Sequence, residues 1–260
     1  MAQEAPHPWP RAAITGASSG IGAALARTLA GPGQVLHLAG RDAARLAGTA
    51  AACREAGAEV AETAFDVRDA AAAEAWVRGA GPLDLLIANA GTSAGTGDGT
   101  ESPSQVRAIF EVNLTGALNV MLPALEAIRA QPPDADSVRG RIAAITSIAA
   151  FLVSPGAPAY CASKAALQRW VEATDPVARR DGVRLHAVCP GFVRTPMTAP
   201  NRFPMPLLME PEEAARRTLA GIAAGRTRIV FPRAIYVAAR ALGMVPARWL
   251  SGLPAKRSSS

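Results

Sequence analysis

A tyrosine and a lysine four residues apart are the pair in this sequence best suited to moving a proton. Tyr160 and Lys164 fall in a stretch, 158–179, whose pattern predicts a helix, so both side chains leave the same face. The chain has only two tyrosines, and lysine supplies only Lys164 and Lys256 among its 27 basic residues, so the pairing is improbable by chance. A free phenol with a pKa near ~10 is a poor acid or base at neutral pH; an adjacent ammonium would favour phenolate and lower that value. The alternative is an ordinary pair on a helix surface. Ser147 weighs against it, because it follows a strand-like run, 141–146, and could place a hydroxyl beside the phenol to polarise a carbonyl. A serine there also serves as a cap or turn residue. Asn113 sits within a helical stretch, where asparagine is a poor helix former, and that local cost suggests a use for its amide. Taken alone, Asn113 reads as structural.

These residues need a scaffold, and the hydrophobic pattern supplies one. Seven apolar runs, 11–15, 34–39, 58–65, 83–89, 139–146, 183–189 and 228–231, alternate with alanine-rich helical stretches. Most connections are long enough for a crossover helix, which predicts an α/β, doubly wound Rossmann fold: a seven-stranded parallel sheet with helices on both faces. Ligands of such sheets bind beyond the carboxyl ends of the strands. Nearly every unusual residue falls there: Gly16, Ser18, Ser19, Gly20, Ile21 and Gly22 after the first strand, Asp66 after the third, Asn89, Ala90 and Gly91 after the fourth, Ser147 after the fifth, and Pro190 after the sixth. The glycines let the backbone turn sharply and approach a pyrophosphate, while the next helix offers free amides. The longest helical stretch, 104–130, contains Pro123, which predicts a kink or an end there.

Together these residues resemble the short-chain dehydrogenase/reductase family in its compact form. The match includes TGxxxGIG at 15–22, Asp66, the NAG at 89–91, Asn113, Ser147, YxxxK at 160–164 and PGxVxT at 190–195, and it covers most of the chain. The resemblance implies an oxidoreductase that transfers a hydride directly between a nicotinamide cofactor and a carbonyl or secondary alcohol. Tyr160 would be the general acid/base, Ser147 would hold the substrate oxygen, and Lys164 would bind the nicotinamide ribose and depress the tyrosine pKa. Asn113 would anchor a water in the proton relay. Asp66 and Val67 would face the adenine, Asn89 to Gly91 would flank it and its ribose, and Pro190, Val193 and Thr195 would hold the carboxamide end. A homodimer or homotetramer is implied. No catalytic position is missing, which argues against a cofactor-sensing regulator without turnover.

Cofactor choice is read after the second strand. Gly40 stands where NAD-using relatives carry an acid, and Arg41 where NADP-using relatives carry arginine, so NADP(H) is expected over NAD(H). Asp42 is expected to cap the following helix. The segments expected over the nicotinamide carry Phe151, Leu152, Val153, Met197, Phe203, Met205, Leu207 and Leu208, with Arg194 and Arg202 as the charges. An apolar or aromatic small molecule is the expected substrate.

Composition bounds the rest. Half of the 260 residues are hydrophobic and 18% are charged, enough for one large core. The net charge of +6 is scattered, without the basic runs that suggest nucleic acid. Cys53, Cys161 and Cys189 lack metal-ligand spacing, and His7, His37 and His186 lie in the leader or in strand-like runs, so no metal is expected. Residues 1–10 read as a flexible leader without signal-peptide character, pointing to the cytoplasm, 11–232 as the dinucleotide-binding and catalytic domain, and 233–260 as an apolar, basic tail. No uninterrupted apolar run reaches membrane-span length. In the tail, Ile235, Val237, Ala238, Leu242, Val245, Trp249 and Leu250 accompany Arg233, Arg240 and Arg248. Packing on the protein or a partner is favoured there over membrane contact, the alternative being a membrane-peripheral, lipid-metabolising reductase.

Overall fold

The computed structural model describes residues 8–93, 100–201 and 203–245. Seven strands, β1 (Arg11–Thr15), β2 (Val35–Gly40), β3 (Glu59–Ala64), β4 (Leu85–Ala88), β5 (Gly140–Ile145), β6 (Val183–Pro190) and β7 (Arg228–Phe231), form one parallel sheet in the order β3-β2-β1-β4-β5-β6-β7. The chain winds outward twice, so the order reverses between β1 and β4, and a crevice opens there at the strands' carboxyl ends.

The two-residue period of each strand divides the core. Ile14, Leu36, Leu38, Leu85 and Ile87 face one side and pack on α1 (Gly20–Leu29), α2 (Ala43–Glu55) and α7 (Pro211–Ala223). Ala13, Leu86, Ala88, Ile142 and Ala144 face the other and pack on α3 (Ala70–Gly79), α5 (Gly116–Arg129) and α6 (Pro158–Ala178). Both faces are covered, which is why the central strands read as nearly continuous apolar runs, while the edge strand β3 is largely exposed. The doubly wound expectation is met.

Three sequence expectations change. Trp9, assigned to the flexible leader, is 1% exposed and packs in the core beneath β1 and β2, because an indole buries a large apolar area. Residues 1–7 lie outside the described set. The long helical stretch does not end at Pro123: α4 (Pro103–Phe110) passes through a π turn, Glu111–Thr115, into α5, which continues past the proline to Arg129. The irregular turn lies instead at Asn113. The continuous helix from Pro103 to Arg129 is also long and apolar enough to cross a membrane, although no uninterrupted apolar run is. Its buried residues, including Val120, Met121 and Ala124, lie in the protein core, which identifies it as a core helix.

The tail forms α8 (Arg233–Gly243). Ala239 is buried, and Ile235 and Tyr236 pack with Phe151 and Leu152, so this part of the tail is docked on the domain. Pro246, Arg248, Trp249 and Leu250 fall outside the described residues.

Candidate active site

Thr15 ends β1, and the chain must turn at once into α1. Gly16 (φ +65°) and Gly20 (φ +55°) adopt left-handed conformations that disfavour a side chain. Gly22 is needed for space: a Cβ there would lie 2.2 Å from the Gly16 carbonyl oxygen and 2.4 Å from Asn89 Nδ2. Asn89 in turn donates to the carbonyls of Thr15 (3.0 Å) and Gly16 (3.1 Å), while the Thr15 hydroxyl accepts from the amides of Asn89 and Ala90, each at 3.1 Å. These bonds lock the β1 and β4 exits together across the point where the sheet reverses. Ser19, at the start of α1, makes no side-chain capping bond, so the first-turn amides and the positive end of the helix dipole remain available to an anion.

Next to this turn lies the β2 exit. Gly40 brings its backbone against Ser18: a Cβ on Gly40 would be 3.2 Å from Ser18 Oγ. Asp42 caps α2 by accepting from the Arg45 amide, as expected, and also pairs with the Arg45 guanidinium at 2.6 Å. Asp66 is committed to Arg68, which donates to it at 2.8 Å and holds its carboxyl below the usual range. Both acids near Arg41 are therefore engaged elsewhere, and among the described residues Arg41 has no ion-pair partner.

The third group stands at the exits of β5 and β6. Ser147 follows β5, and its hydroxyl accepts from the Ala149 amide at 3.0 Å while hydrogen-bonding the Tyr160 phenol. Tyr160 and Lys164 project from successive turns of α6, a helix whose N-terminal Ala159 amide donates to Glu101 Oε2 at 2.9 Å. Lys164 is 4% exposed, and its Nζ donates to the Ile145 carbonyl at 2.8 Å. Burial lowers its pKa to about 8. Burial also raises the Tyr160 pKa, opposed by the Ser147 hydrogen bond. The ammonium faces a backbone carbonyl, and desolvation of the phenolate is the larger influence on the phenol.

Asn113 is held by three hydrogen bonds of its side chain. Its side chain accepts from the Thr92 amide (2.8 Å) and donates to the Thr92 carbonyl (2.9 Å) and to Ser163 Oγ (3.1 Å). Both amide protons are used within the protein, so the side chain braces the β4 exit loop against α6. Gly91 completes this junction, since a Cβ there would meet Asn113 Oδ1 at 3.2 Å and Lys164 Nζ at 3.3 Å.

One cleft of about 600 Å³ joins the three groups. It is lined by every catalytic and cofactor-binding candidate from the sequence except Gly22, which shapes the turn behind it, and Asn113, which is fully buried; of the described apolar residues expected over the nicotinamide, Met197 lines it and Phe151, Leu152, Val153, Phe203, Met205, Leu207 and Leu208 do not. Pro190, Val193 and Thr195 border it after β6, with Thr195 Cγ2 3.0 Å from where a Gly20 Cβ would stand. His37 and His186 do not line it; His7 lies outside the described residues. Sequence reasoning assigned no role to Thr15, Thr92 or Ser163. Thr15 and Ser163 lie within the glycine and YxxxK motifs, and that proximity was the available signal.

The residues present fit a dinucleotide. The glycine turn leaves the space that side chains would fill, an uncapped helix start faces the cleft, and an acid/base pair stands at its other end. A family model described as short chain dehydrogenase matches residues 10–204. An uncharacterized oxidoreductase of Myxococcus xanthus is 36% identical over 90% of this chain and 92% of its own length. A putative ketoacyl reductase of the granaticin polyketide synthase of Streptomyces violaceoruber is 38% identical over 72% of this chain and 69% of its own. Among solved structures, a Sphingobium yanoikuyae short-chain dehydrogenase in complex with NADPH superposes with a TM-score of 0.76 at 26% identity, over 96% of this chain and 98% of the other. A Burkholderia phymatum enzyme in complex with NAD gives 0.74 at 27%, over 88% and 91%.

Proposed function

The chain belongs to the short-chain dehydrogenase family and is a nicotinamide-dependent oxidoreductase of carbonyl and alcohol groups; we propose that it prefers NADP(H) and acts on an apolar substrate. The observation that carries the cofactor reading is the uncommitted Arg41 beside Gly40. A ribose 2′-phosphate needs a cation and no nearby free carboxylate, and Arg45 and Arg68 already neutralise Asp42 and Asp66. Ser18, against Gly40, adds a hydroxyl donor.

The bound nicotinamide supplies or accepts the hydride. Tyr160 exchanges the accompanying proton with the substrate oxygen. Its raised pKa keeps the phenol protonated at neutral pH, which suits an acid in carbonyl reduction. Ser147, already bonded to the phenol, holds the same oxygen and donates to the charge that develops there. Lys164, at the floor of the cleft, would hold the cofactor ribose, and Asn113, through Thr92 and Ser163, keeps that floor in register.

The wall expected over the reacting carbon is apolar. Phe192 packs on Phe203 at 5.9 Å between ring centroids, Met197 lines the cleft, and the charge of Arg194 is tied to Glu210 at 2.8 Å. Arg202 is outside the described residues. The ketoacyl reductase among the relatives supports a carbonyl on an apolar chain. Exposed Leu122 on α5 and Val177 on α6 support a homodimer or homotetramer, which light scattering would test. Three buried free thiols suit a reducing compartment such as the cytoplasm.

The test is steady-state kinetics with a hydrophobic ketone and each coenzyme. The wild type is expected to show the higher kcat/KM with NADPH, and Arg41→Ala to raise the KM for NADPH by roughly ten-fold or more, the scale of one lost charge-assisted bond, while changing that for NADH little. A higher kcat/KM with NADH in the wild type would overturn the cofactor assignment.

A further inference from the structure

Nine large hydrophobic side chains are exposed among the described residues, and their distribution is uneven. Three of them, Val237 (64%), Leu242 (50%) and Met244 (81%), belong to α8 or its C-cap. Four more, Val153, Met197, Phe203 and Leu207, lie in the segments that follow the 3-10 turn Ile148–Phe151 and β6, next to the substrate end of the cleft. Such clustering marks an interaction face rather than random surface apolarity.

Helix geometry gives α8 two faces. Ile235, Tyr236 and Ala239 point inward onto Phe151, Leu152 and Val230. Arg233, Val237, Arg240, Ala241 and Met244, spaced by three, four and seven residues, share the outward one. Neither Arg233 nor Arg240 has a carboxylate partner among the described residues. The segment itself carries charge of one sign, since Glu213 is the last acidic residue of the sequence and nine Arg or Lys follow it, and the acid beside the packed face, Glu172, is already paired with Arg228.

We propose that the outward face of α8 docks on an anionic lipid bilayer, with Val237 and Met244 entering the headgroup boundary and Arg233 and Arg240 meeting lipid phosphates. An apolar stripe edged by arginine is the chemistry of a helix lying in a membrane interface, where each basic residue near an anionic surface adds about 1 kcal/mol. A second copy of this chain fits the face less well. A two-fold contact would set Arg233 and Arg240 against themselves, with no acid in the segment to receive them. Docking would place the cleft beside the bilayer, because the inward face of α8 packs on the turn that directly follows Ser147. That consequence rests on the apolar-substrate reading above, whereas the docking does not.

The test is flotation of the purified full-length protein, at low ionic strength, with phosphatidylcholine vesicles or with vesicles that also contain phosphatidylglycerol. The wild type is expected to float with the anionic vesicles and not with the neutral ones. Val237→Glu combined with Met244→Glu, both at exposed positions, should lower the bound fraction by at least ~10-fold at unchanged helical content. Failure of the wild type to float with anionic vesicles would overturn the proposal, as would a double variant that floats like the wild type. So would a double variant whose light-scattering mass is lower than the wild type's without vesicles, since that assigns the face to a second copy. No outcome depends on turnover, so the docking and the enzymatic reading fail separately.

Discussion

The ammonium of Lys164 is held in a nearly closed site by one backbone carbonyl, and its pKa of about 8 follows from that burial. Its charge is present below that value and lost above it. On the proposed mechanism that charge attracts the cofactor's ribose oxygens and any negative charge on the phenol, so kcat/KM for carbonyl reduction should fall as pH rises through about 8. In Lys164→Met the rate should be low throughout, with that limb absent; a wild-type profile flat to pH 10 would contradict the assignment. The juxtaposition of Tyr160 and Lys164 was legible because a four-residue spacing has only one consequence on a helix. Their proton affinities were not, because these depend on burial depth and on the Ile145 carbonyl, which spacing does not encode. Asn113 shows the same limit: its type flagged it, but its partners Thr92 and Ser163 are 21 and 50 residues distant in sequence.

At the scale of elements, β6 and α6 are joined by a buried polar cluster outside the cleft. Asp175 accepts from the Leu185 amide and pairs with Arg179, and His186, 0% exposed, bonds through Nδ1 to the Arg226 carbonyl. Since a carbonyl only accepts, Nδ1 carries the proton; Nε2 has no partner, so a second proton would be buried unpaired. Burial accordingly lowers the His186 pKa to about 4 from 6.5. Between those values the unfolded chain binds a proton that the folded one refuses, so stability falls as pH drops from about 6.5 to about 4, by on the order of 3 kcal/mol in full. Urea unfolding at the two pH values should show this loss in the wild type and a clearly smaller one in His186→Asn. Equal losses would show that other groups carry the acid sensitivity. The central strands were legible because both faces of the sheet are covered there and they stay apolar, whereas the edge strand β3 carries Glu59 and Glu62 and is largely exposed. The π turn was not, since Pro123 was the visible helix breaker, whereas the irregularity coincides with Asn113, whose bonds are long-range.

For the whole molecule, the winding of the sheet gathers residues scattered from Gly16 to Thr195 along one crevice, and the chemistry depends on that gathering. The common edge could be read from the sequence because a parallel sheet puts every exit loop at one end. The chain's limits could not: Trp9 enters the core, and α8 carries both a packed and an open face, where sequence alone posed packing and membrane contact as alternatives. On the proposed mechanism Tyr160 delivers the proton within an intact cofactor site. That step is tested most directly by Tyr160→Phe, measuring turnover of a hydrophobic ketone alongside NADPH binding by fluorescence. Turnover is expected to fall by at least ~10²-fold with coenzyme affinity within a few-fold of the wild type; turnover near the wild-type rate would show that another group delivers the proton.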